Sequence, residues 1–361
     1  MTTRTCCVCI GAGGILAAGL AGGLAAYLQG GLPAAAAERR PEHFRYIPAD
    51  AHVVAFADVR AVMTSDLSSR MRDRLPVDDE PDFESRTGIR VASDIDEVVV
   101  SLVPAPSDAA NLLLMLSGRF DRERLESLAI EHGGAVSEYR DHALIATTVG
   151  DSRLALAFVE PDVLAVGSEA LVHDALDLVD GGDNLTANTR LMTLLARVDP
   201  GSDAWAIGAL DRPGATAWMP QGLDPRALRV SAFTVAGRVN GGIRLALAAE
   251  TPDEAASQNL RDILQGFIAL ARMQAGAQPE VAGILDSMQL RATPGEQVVH
   301  LSMTLPSTTL EWLWDRALEG AGAAGSIDPE LPPPPAGPAA GDPGGNDAQP
   351  RRQDRQDRQD R

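Results

Sequence analysis

The side chains of this chain that are best suited to bind metals or transfer protons are its six histidines. No two of them have the i, i+4 spacing of a helical zinc site or the i, i+2 spacing of a strand site. We therefore expect surface or rim histidines, with no bound metal and no cofactor. A site assembled from His and Asp residues far apart in sequence stays open. The six are His43, His52, His132, His142, His173 and His300.

Several catalytic chemistries are excluded by residue types that the sequence lacks. All 31 basic residues are arginine, and without lysine the chain has neither a Walker-type phosphate loop nor a Schiff-base nucleophile. The three cysteines are Cys6, Cys7 and Cys9, so no later residue can be a thiol nucleophile or a thiolate ligand. Catalysis by lysine or cysteine side chains in the body of the protein is thereby ruled out.

Serine and carboxylate motifs give equally little support to catalysis. The glycine-flanked serines Ser117, Ser168 and Ser326 are not in the G-x-S-x-G context of a hydrolase nucleophile, and Ser168 is better explained as a helix N-cap. The acidic residues of segment 78–84 could attract calcium, but the segment lacks the glycine and the ligand spacing of an EF-hand loop. We interpret it as a solvated loop.

One apolar segment is a candidate binding site. Residues 214–223 contain Trp218 and Met219 where the first half of the chain has a helix after its opening strand. Exposed aromatic and methionine side chains are typical of contact surfaces, so these two residues are the predicted binding residues. The alternative is that Trp218 packs over its own core, in which case Trp218→Ala would cost about 3–5 kcal/mol of stability.

The two ends of the chain differ from its body. Residues 8–28 carry no charge over a length that spans roughly 30 Å as a helix, with Arg4 before them and Ala35 to Ala37 after them. Residues 1–37 are therefore either a cleaved signal peptide or a transmembrane anchor, and both alternatives stay open. Residues 321–361, which are rich in Pro and Gly and end in an Arg-Gln-Asp repeat, are predicted to be disordered.

The body between these ends is predicted to be α+β, with mostly antiparallel sheet packed against helices. The order of strand, hairpin, helix, hairpin and helix occurs twice, which predicts two related units at 38–187 and 188–320. Asn240-Gly241 is the strongest hairpin signal. A long helix should start with a capping box at Thr251, and its predicted inward face is Leu260, Ile263, Leu264, Phe267 and Ile268.

The opening of the body resembles a group of uncharacterised exported bacterial proteins with a domain of unknown function. The residues that carry the resemblance are Tyr46 to Asp50 with their Pro-Ala-Asp, the strand that follows them, and the segments DIDEVVVSL and LLLMLSGRFDRERLESLA. The similarity covers about 45–180. It implies a location in the cell envelope and provides no catalytic residue to carry over.

These observations favour a non-enzymatic envelope protein that acts by binding or scaffolding. It would be exported to the periplasm or extracytoplasmic face, or held in the membrane through residues 8–28 if they are uncleaved, and its partner is an unknown envelope protein or ligand. The net charge of −19 repels phosphate backbones, so nucleic acid is not expected as a partner. The alternative is a hydrolase of envelope polymers with a site of dispersed Asp, Glu and His.

Export can be tested directly by cell fractionation and N-terminal sequencing. We expect the chain in the envelope or extracytoplasmic fractions, because its uncharged run at 8–28 is preceded by a positive charge and followed by small residues. An N-terminus at Glu38 would identify a signal peptide, and an intact N-terminus in the membrane fraction would identify an anchor. A full-length cytosolic chain would contradict the prediction.

Overall fold

Twelve strands form one antiparallel sheet in the part of the chain that the structure describes. The structure is a computed structural model that describes residues 42–65, 68, 84–85, 87–104, 110–149, 152–211, 228–239, 242–275, 279–293, 295–310 and 312. All of them belong to one compact unit. The strands are β1 Val53–Asp58, β2 Ile95–Pro104, β3 Ala110–Gly118, β4 Ala135–Tyr139, β5 His142–Val149, β6 Ser152–Glu160, β7 Val163–Ser168, β8 Ala204–Ala209, β9 Ala232–Val239, β10 Gly242–Glu250, β11 Gln289–Ala292 and β12 Val298–Pro306.

The spatial order of the strands is β11-β12-β10-β9-β8-β1-β2-β3-β7-β6-β5-β4. With the helices packed on this sheet, the predicted α+β class with mostly antiparallel sheet is confirmed. The helices are α1 Val59–Met63, α2 Val91–Asp94, α3 Arg122–Glu131, α4 Glu169–Asp177, α5 Thr189–Leu195, α6 Glu254–Gln274 and α7 Pro279–Ser287; short 3-10 turns cover Glu42–Tyr46, Leu178–Asp180 and Leu185–Ala187.

The centre of the sheet is the pairing of β1 with β8. These strands are apolar almost throughout, as expected for strands covered on both faces. Val54 pairs with Ile207, and both are fully buried. Phe56 pairs with Trp205, and their rings stack with centroids 5.6 Å apart. Because β1 comes from predicted unit 38–187 and β8 from predicted unit 188–320, the residues of the two units share one sheet.

Side chains alternate between two faces of this sheet, which we call front and back. The front face carries Val54 and Ile207 and belongs to the largest apolar cluster. Helix α4 covers it over β3, β6 and β7, and α5 covers it over β8 and β9. The back face contains two smaller clusters, in which Leu125 of α3, Ile284 of α7 and Leu310 of the helical residues 307–310 take part.

No described helix covers the front face at the end of the sheet formed by β10, β12 and β11. On β12 the front-facing His300, Ser302 and Thr304 are exposed, whereas the back-facing Val299 and Leu305 are buried. Helices α6 and α7 contact β12, and α6 also contacts β11. The pattern of burial places both helices on the back. The alternation of polar and apolar residues along β12 is what a sheet with one solvated face requires.

The predicted hairpin at Asn240-Gly241 is confirmed, because β9 and β10 flank these residues and pair antiparallel. At the start of α3 the Asp121 carboxylate caps the helix by accepting a hydrogen bond from the N–H of Arg124 at 3.1 Å. The edge strand β4 and helices α5 and α7 were not predicted. The predicted signal or anchor at 1–37 and the predicted disordered tail at 321–361 lie outside the described residues.

Asn188 ties the segment before β1 to the helix that precedes β8. Its Oδ1 accepts a hydrogen bond from the N–H of Leu191 at 3.0 Å and so caps α5. Its Nδ2 donates to the carbonyl oxygens of Ala49 at 2.7 Å and Ala51 at 3.1 Å. The side chain is buried, so neither carbonyl oxygen could readily exchange this donor for water.

We expect Asn188→Ala to lower the free energy of unfolding by about 2–4 kcal/mol, since it removes a helix cap and two hydrogen bonds in the interior. Asn184→Ala is the matched control, because Asn184 caps only the short turn Leu185–Ala187 and lies nearer the surface. Its cost should be about 0.5–1 kcal/mol. Urea denaturation of both variants measures the difference, and equal costs would contradict the role of Asn188.

Candidate functional site

Helix α6 begins two residues later than predicted. Its N-cap is Asp253, whose Oδ1 accepts a hydrogen bond from the N–H of Ala256 at 2.8 Å and whose pKa is lowered by that bond. The predicted capping box at Thr251 is therefore wrong. The Thr251 hydroxyl is buried and donates to the carbonyl oxygens of Asp253 and Gln297. Asp253 thus accepts the capping hydrogen bond in the first turn of α6. Thr251 instead links the start of α6 to Gln297, just before β12.

The second half of α6 carries a large apolar surface without a described partner. Leu260 is 3% exposed, as its predicted inward position requires, but Ile263 is 41% and Phe267 64% exposed, so these two predictions are wrong. Leu270 at 51% and Met273 at 82% continue the same surface. We call Ile263, Phe267, Leu270 and Met273 the apolar flank. At about 100° per residue the first three project within about 60° of one another.

Geometry explains why the described elements leave the flank uncovered. The apolar arc of α6 is wider than the sheet and the neighbouring helix can bury, since β11, β12 and α7 contact it on one side. A Cβ added at Gly266, which lies on the flank between Ile263 and Phe267, would meet no atom within 4 Å. The helical periodicity correctly identified apolar residues, but it could not show that only part of the arc has a neighbour to pack against.

Two histidines are more buried than predicted. His43 and His52 are both buried rather than at the surface or rim. The Nε2 atom of His43 lies 3.5 Å from Oε2 of Glu97 on β2. His132 and His300 are exposed, as expected, and His142 makes a contact of 2.9 Å with the carbonyl oxygen of Phe158.

A second carboxylate anchors the same N-terminal turn. Tyr46 and Arg45 both contact Oε1 of Glu160, at the end of β6. Burial, together with the hydrogen bond to Glu160, raises the pKa of the Tyr46 hydroxyl. Glu97 and Glu160 therefore fix the turn Glu42–Tyr46 across the strand ends. Both carboxylates have a clear role in holding this turn.

A group of ionisable side chains lies on α4 and next to it. Asp174 keeps an exposed surface, but partial burial of its carboxyl raises its pKa, and the charges of Asp50 and Asp177 raise the pKa further. Next to it, His173 stacks on Tyr139 with ring centroids 4.3 Å apart, and the Tyr139 hydroxyl donates to Asp177 at 2.9 Å. A carboxyl with a raised pKa beside a second carboxylate is a common arrangement in acid–base sites.

The other predicted chemistry-bearing residues are not brought together. Ser168 occupies the N-cap position of α4, but its side chain makes no capping hydrogen bond, so that part of the prediction is wrong. Ser117 is half-buried and pairs with Glu97 in the β2–β3 ladder. Within the described residues, no group of three or more His, Cys, Asp or Glu side chains is placed to hold a metal ion.

Some predictions fall on parts of the chain that the structure does not describe. Trp218 and Met219 lie there, as do residues 78–83 of the acidic segment, and the binding role of Trp218 stays a prediction. Of the helices that the structure does describe, none is long and apolar enough to span a membrane.

Comparisons with known proteins return no relative for this chain. No protein family, no curated protein and no solved structure matches it. The resemblance to exported bacterial proteins therefore stays a prediction.

The raised pKa of Asp174 leads to a prediction about how stability depends on pH. A carboxyl whose pKa is higher in the folded than in the unfolded state destabilises the fold above the unfolded pKa, and this effect vanishes in acid. Asp174→Asn should therefore raise the melting temperature at pH 7, and the gain should shrink as the pH falls through the carboxyl range. Thermal unfolding between pH 3 and pH 8 measures it.

The neighbouring Asp177 is the control with the opposite sign. Asp177→Asn weakens the contacts of Asp177 with Tyr139 and Arg140, so we expect a loss of about 1 kcal/mol at pH 7. A stability loss in Asp174→Asn as well would contradict the unfavourable environment of Asp174.

Proposed function

We propose that this protein is an exported or membrane-tethered component of the cell envelope that acts by binding another protein through the apolar flank of α6. The observation that carries the binding role is the exposure of Ile263, Phe267, Leu270 and Met273 along one side of one helix. Contiguous exposed apolar patches on soluble domains mark interaction sites, because each buried Å² of such surface is worth about 25 cal/mol.

The chemistry of the flank supports a protein partner. Phe and Met are enriched in the centres of protein interfaces, and the helix presents them as a rigid row. A lipid surface fits less well, since a chain of net charge −19 is repelled by anionic headgroups. The partner should therefore offer an apolar groove or a second helix, in the way that amphipathic helices are commonly recognised.

The envelope location rests on the sequence. The uncharged residues 8–28 support either export or anchoring, and the acidic composition suits a soluble domain outside the cytoplasm. We propose no membrane orientation and keep both fates of residues 1–37 open.

We also propose that the two halves of the sheet descend from one repeated unit. Aligning Asp50-Ala51 with Asp203-Ala204 makes Val54 the counterpart of Ile207. These two residues are also direct partners in the β1–β8 ladder. Such a register is what a two-fold axis through the pair would produce, since residues on the axis of an isologous contact meet their own equivalents and all others meet in reciprocal pairs. The hairpins β2–β3 and β9–β10 follow on either side.

A hydrolase is the second candidate. The group formed by Asp50, Asp174 and Asp177 favours it, because burial and, after it, the charges of Asp50 and Asp177 raise the pKa of Asp174. If Asp174 were a general acid, Asp174→Asn would abolish hydrolysis of envelope polymers while increasing stability, as substitutions in strained active sites can.

The contact role of the flank can be tested with a pair of variants on α6. Phe267→Ala should change the free energy of unfolding by less than about 1 kcal/mol, because the ring is mostly exposed. It should also strongly reduce cross-linking, in the producing cells, from a photoreactive residue at position 273. Leu260→Ala is the stability control and should cost about 2–5 kcal/mol, since that side chain is buried.

A photoreactive residue at position 258 is the control for site specificity, because Gln258 is exposed on the opposite side of α6. Cross-linking from position 273 that is insensitive to Phe267→Ala, or equal cross-linking from position 258, would refute the flank as the contact surface.

A further inference from the structure

The exposed side of α6 has the residue spacing of a seam between two helices. Ile263, Gly266, Leu270 and Met273 follow one another at intervals of three, four and three residues. Alternation of three and four residues is the spacing at which the side chains of one helix meet a second helix along a narrow line. At about 100° per residue, Ile263 and Leu270 project within about 20° of each other, so these two residues mark the line of the seam.

A bulge and a hollow lie on the two sides of this seam at the same level. Phe267 projects about 50° to one side of the line and Gly266 about 50° to the other. The ring of Phe267 is 64% exposed, and a Cβ at Gly266 would meet no atom within 4 Å. Glycine in the middle of a helix is destabilising relative to alanine. No described residue comes close enough to require Gly266, whereas a large side chain that approaches from outside would require it.

The bulge and the hollow are complementary to each other. A two-fold axis parallel to α6 would bring each residue to the level of its own equivalent and would exchange the two sides of the seam. Phe267 of each copy then lies over Gly266 of the other, while Ile263 and Leu270 meet their own equivalents. An antiparallel pair centred at this level does not exchange the sides. There the two Phe267 rings would meet each other and both hollows would stay empty.

The distribution of charge suits a symmetric contact. Charges near a two-fold axis face their own equivalents, and like charges in contact repel. Between Asn259 and Met273 no charged residue projects within about 60° of the seam line. The nearest charge belongs to Asp262, and the Arg261 guanidinium lies 2.7 Å from its carboxylate. The net charge of −19 opposes the approach of two copies, so an uncharged surface is where they can meet.

The exposed apolar area is sufficient for a weak dimer. The flank side chains are exposed by 41%, 64%, 51% and 82%. At about 200 Å² for each large apolar side chain, these fractions amount to roughly 500 Å² on one copy and roughly 1,000 Å² on two. That total is near the lower limit for a specific interface, so we expect association at micromolar concentrations.

We infer that the partner of the apolar flank is a second copy of this chain, with the two α6 helices parallel and Phe267 of each copy over Gly266 of the other. This inference rests on the proposed contact role of the flank and names its partner. A helix of another protein would need a bulge and a hollow at the same level and on matching sides. A second copy supplies both.

Disulfide formation in the producing cells tests the arrangement, because no cysteine follows Cys9. The whole chain is used, with Cys6, Cys7 and Cys9 replaced by serine. Leu270→Cys should give a disulfide-linked dimer under mild oxidation, since equivalent residues on the seam of a parallel pair lie within the roughly 6 Å between Cα atoms that a disulfide spans. Gln258→Cys is the control. Gln258 is exposed on the opposite side of α6, so this variant should stay monomeric.

A pair of glycine variants separates the contact from folding. Gly266→Gln fills the hollow and, combined with Leu270→Cys, should reduce the linked dimer at least fivefold. Gly283→Gln is the matched control, because Gly283 is an exposed glycine of α7 whose added Cβ would also meet no atom within 4 Å. Both changes should raise the melting temperature of the dilute purified chain, since glutamine is a better helix former than glycine. Only Gly266→Gln should reduce the dimer.

The outcomes separate this inference from the contact role on which it rests. A monomeric Leu270→Cys chain, equal linking of Gln258→Cys, or linking that Gly266→Gln leaves unchanged would overturn the second copy as partner. Preferential linking of Ile263→Cys chains to Leu270→Cys chains would indicate an antiparallel pair and overturn it too. Photo-cross-linking from position 273 to a different protein, without a linked dimer, would overturn the second copy and leave the contact role intact. The absence of both products would overturn both.

Discussion

The pairing of β1 with β8 is the contact on which the rest of the structure depends. Both strands are apolar on both faces, so an exposed position at the edge of the sheet would bring a large apolar surface into contact with water. Their ladder joins the hairpins of the first half to those of the second in a continuous sheet. The stacked rings of Phe56 and Trp205, with the edge of Phe44 against Trp205, pack this junction on the front face. Asn188 secures the chain segments that lead into it.

The two halves differ in which face of the sheet their closing helical residues cover. After β7, which ends at Ser168 in a back-facing position, α4 packs on the front. After β12, which ends at Pro306 in a front-facing position, the helical residues 307–310 pack on the back through Leu310. No described helix therefore covers the front of β10 and β12.

Local patterns predicted much of the fold and little of the candidate sites. The alternation in β12, the hairpin at Asn240-Gly241 and the Asp121 cap depend on residues close in sequence, and the structure agrees with each. The exposure of Phe267 depends on how far α7 and β11 extend along α6. The local sequence of α6 contains no information about this. Burial of His43 depends in the same way on the distant Glu97. The opposition of Arg238 and Arg244 could not be predicted from the hairpin signal. A two-residue turn at Asn240-Gly241 would place Arg238 opposite Ile243, whereas the observed register pairs Val239 with Ile243 and Arg238 with Arg244.

The apolar flank and a cavity of about 630 Å³ beside α5 lie on opposite sides of the same half of the sheet. Strand β12 separates them, since its back-facing side chains pack against α7 and its front-facing His300 lines the cavity. A partner on α6 would therefore leave the cavity open. In the first half α4 packs on the front face, so both surfaces belong to the second half of the sheet.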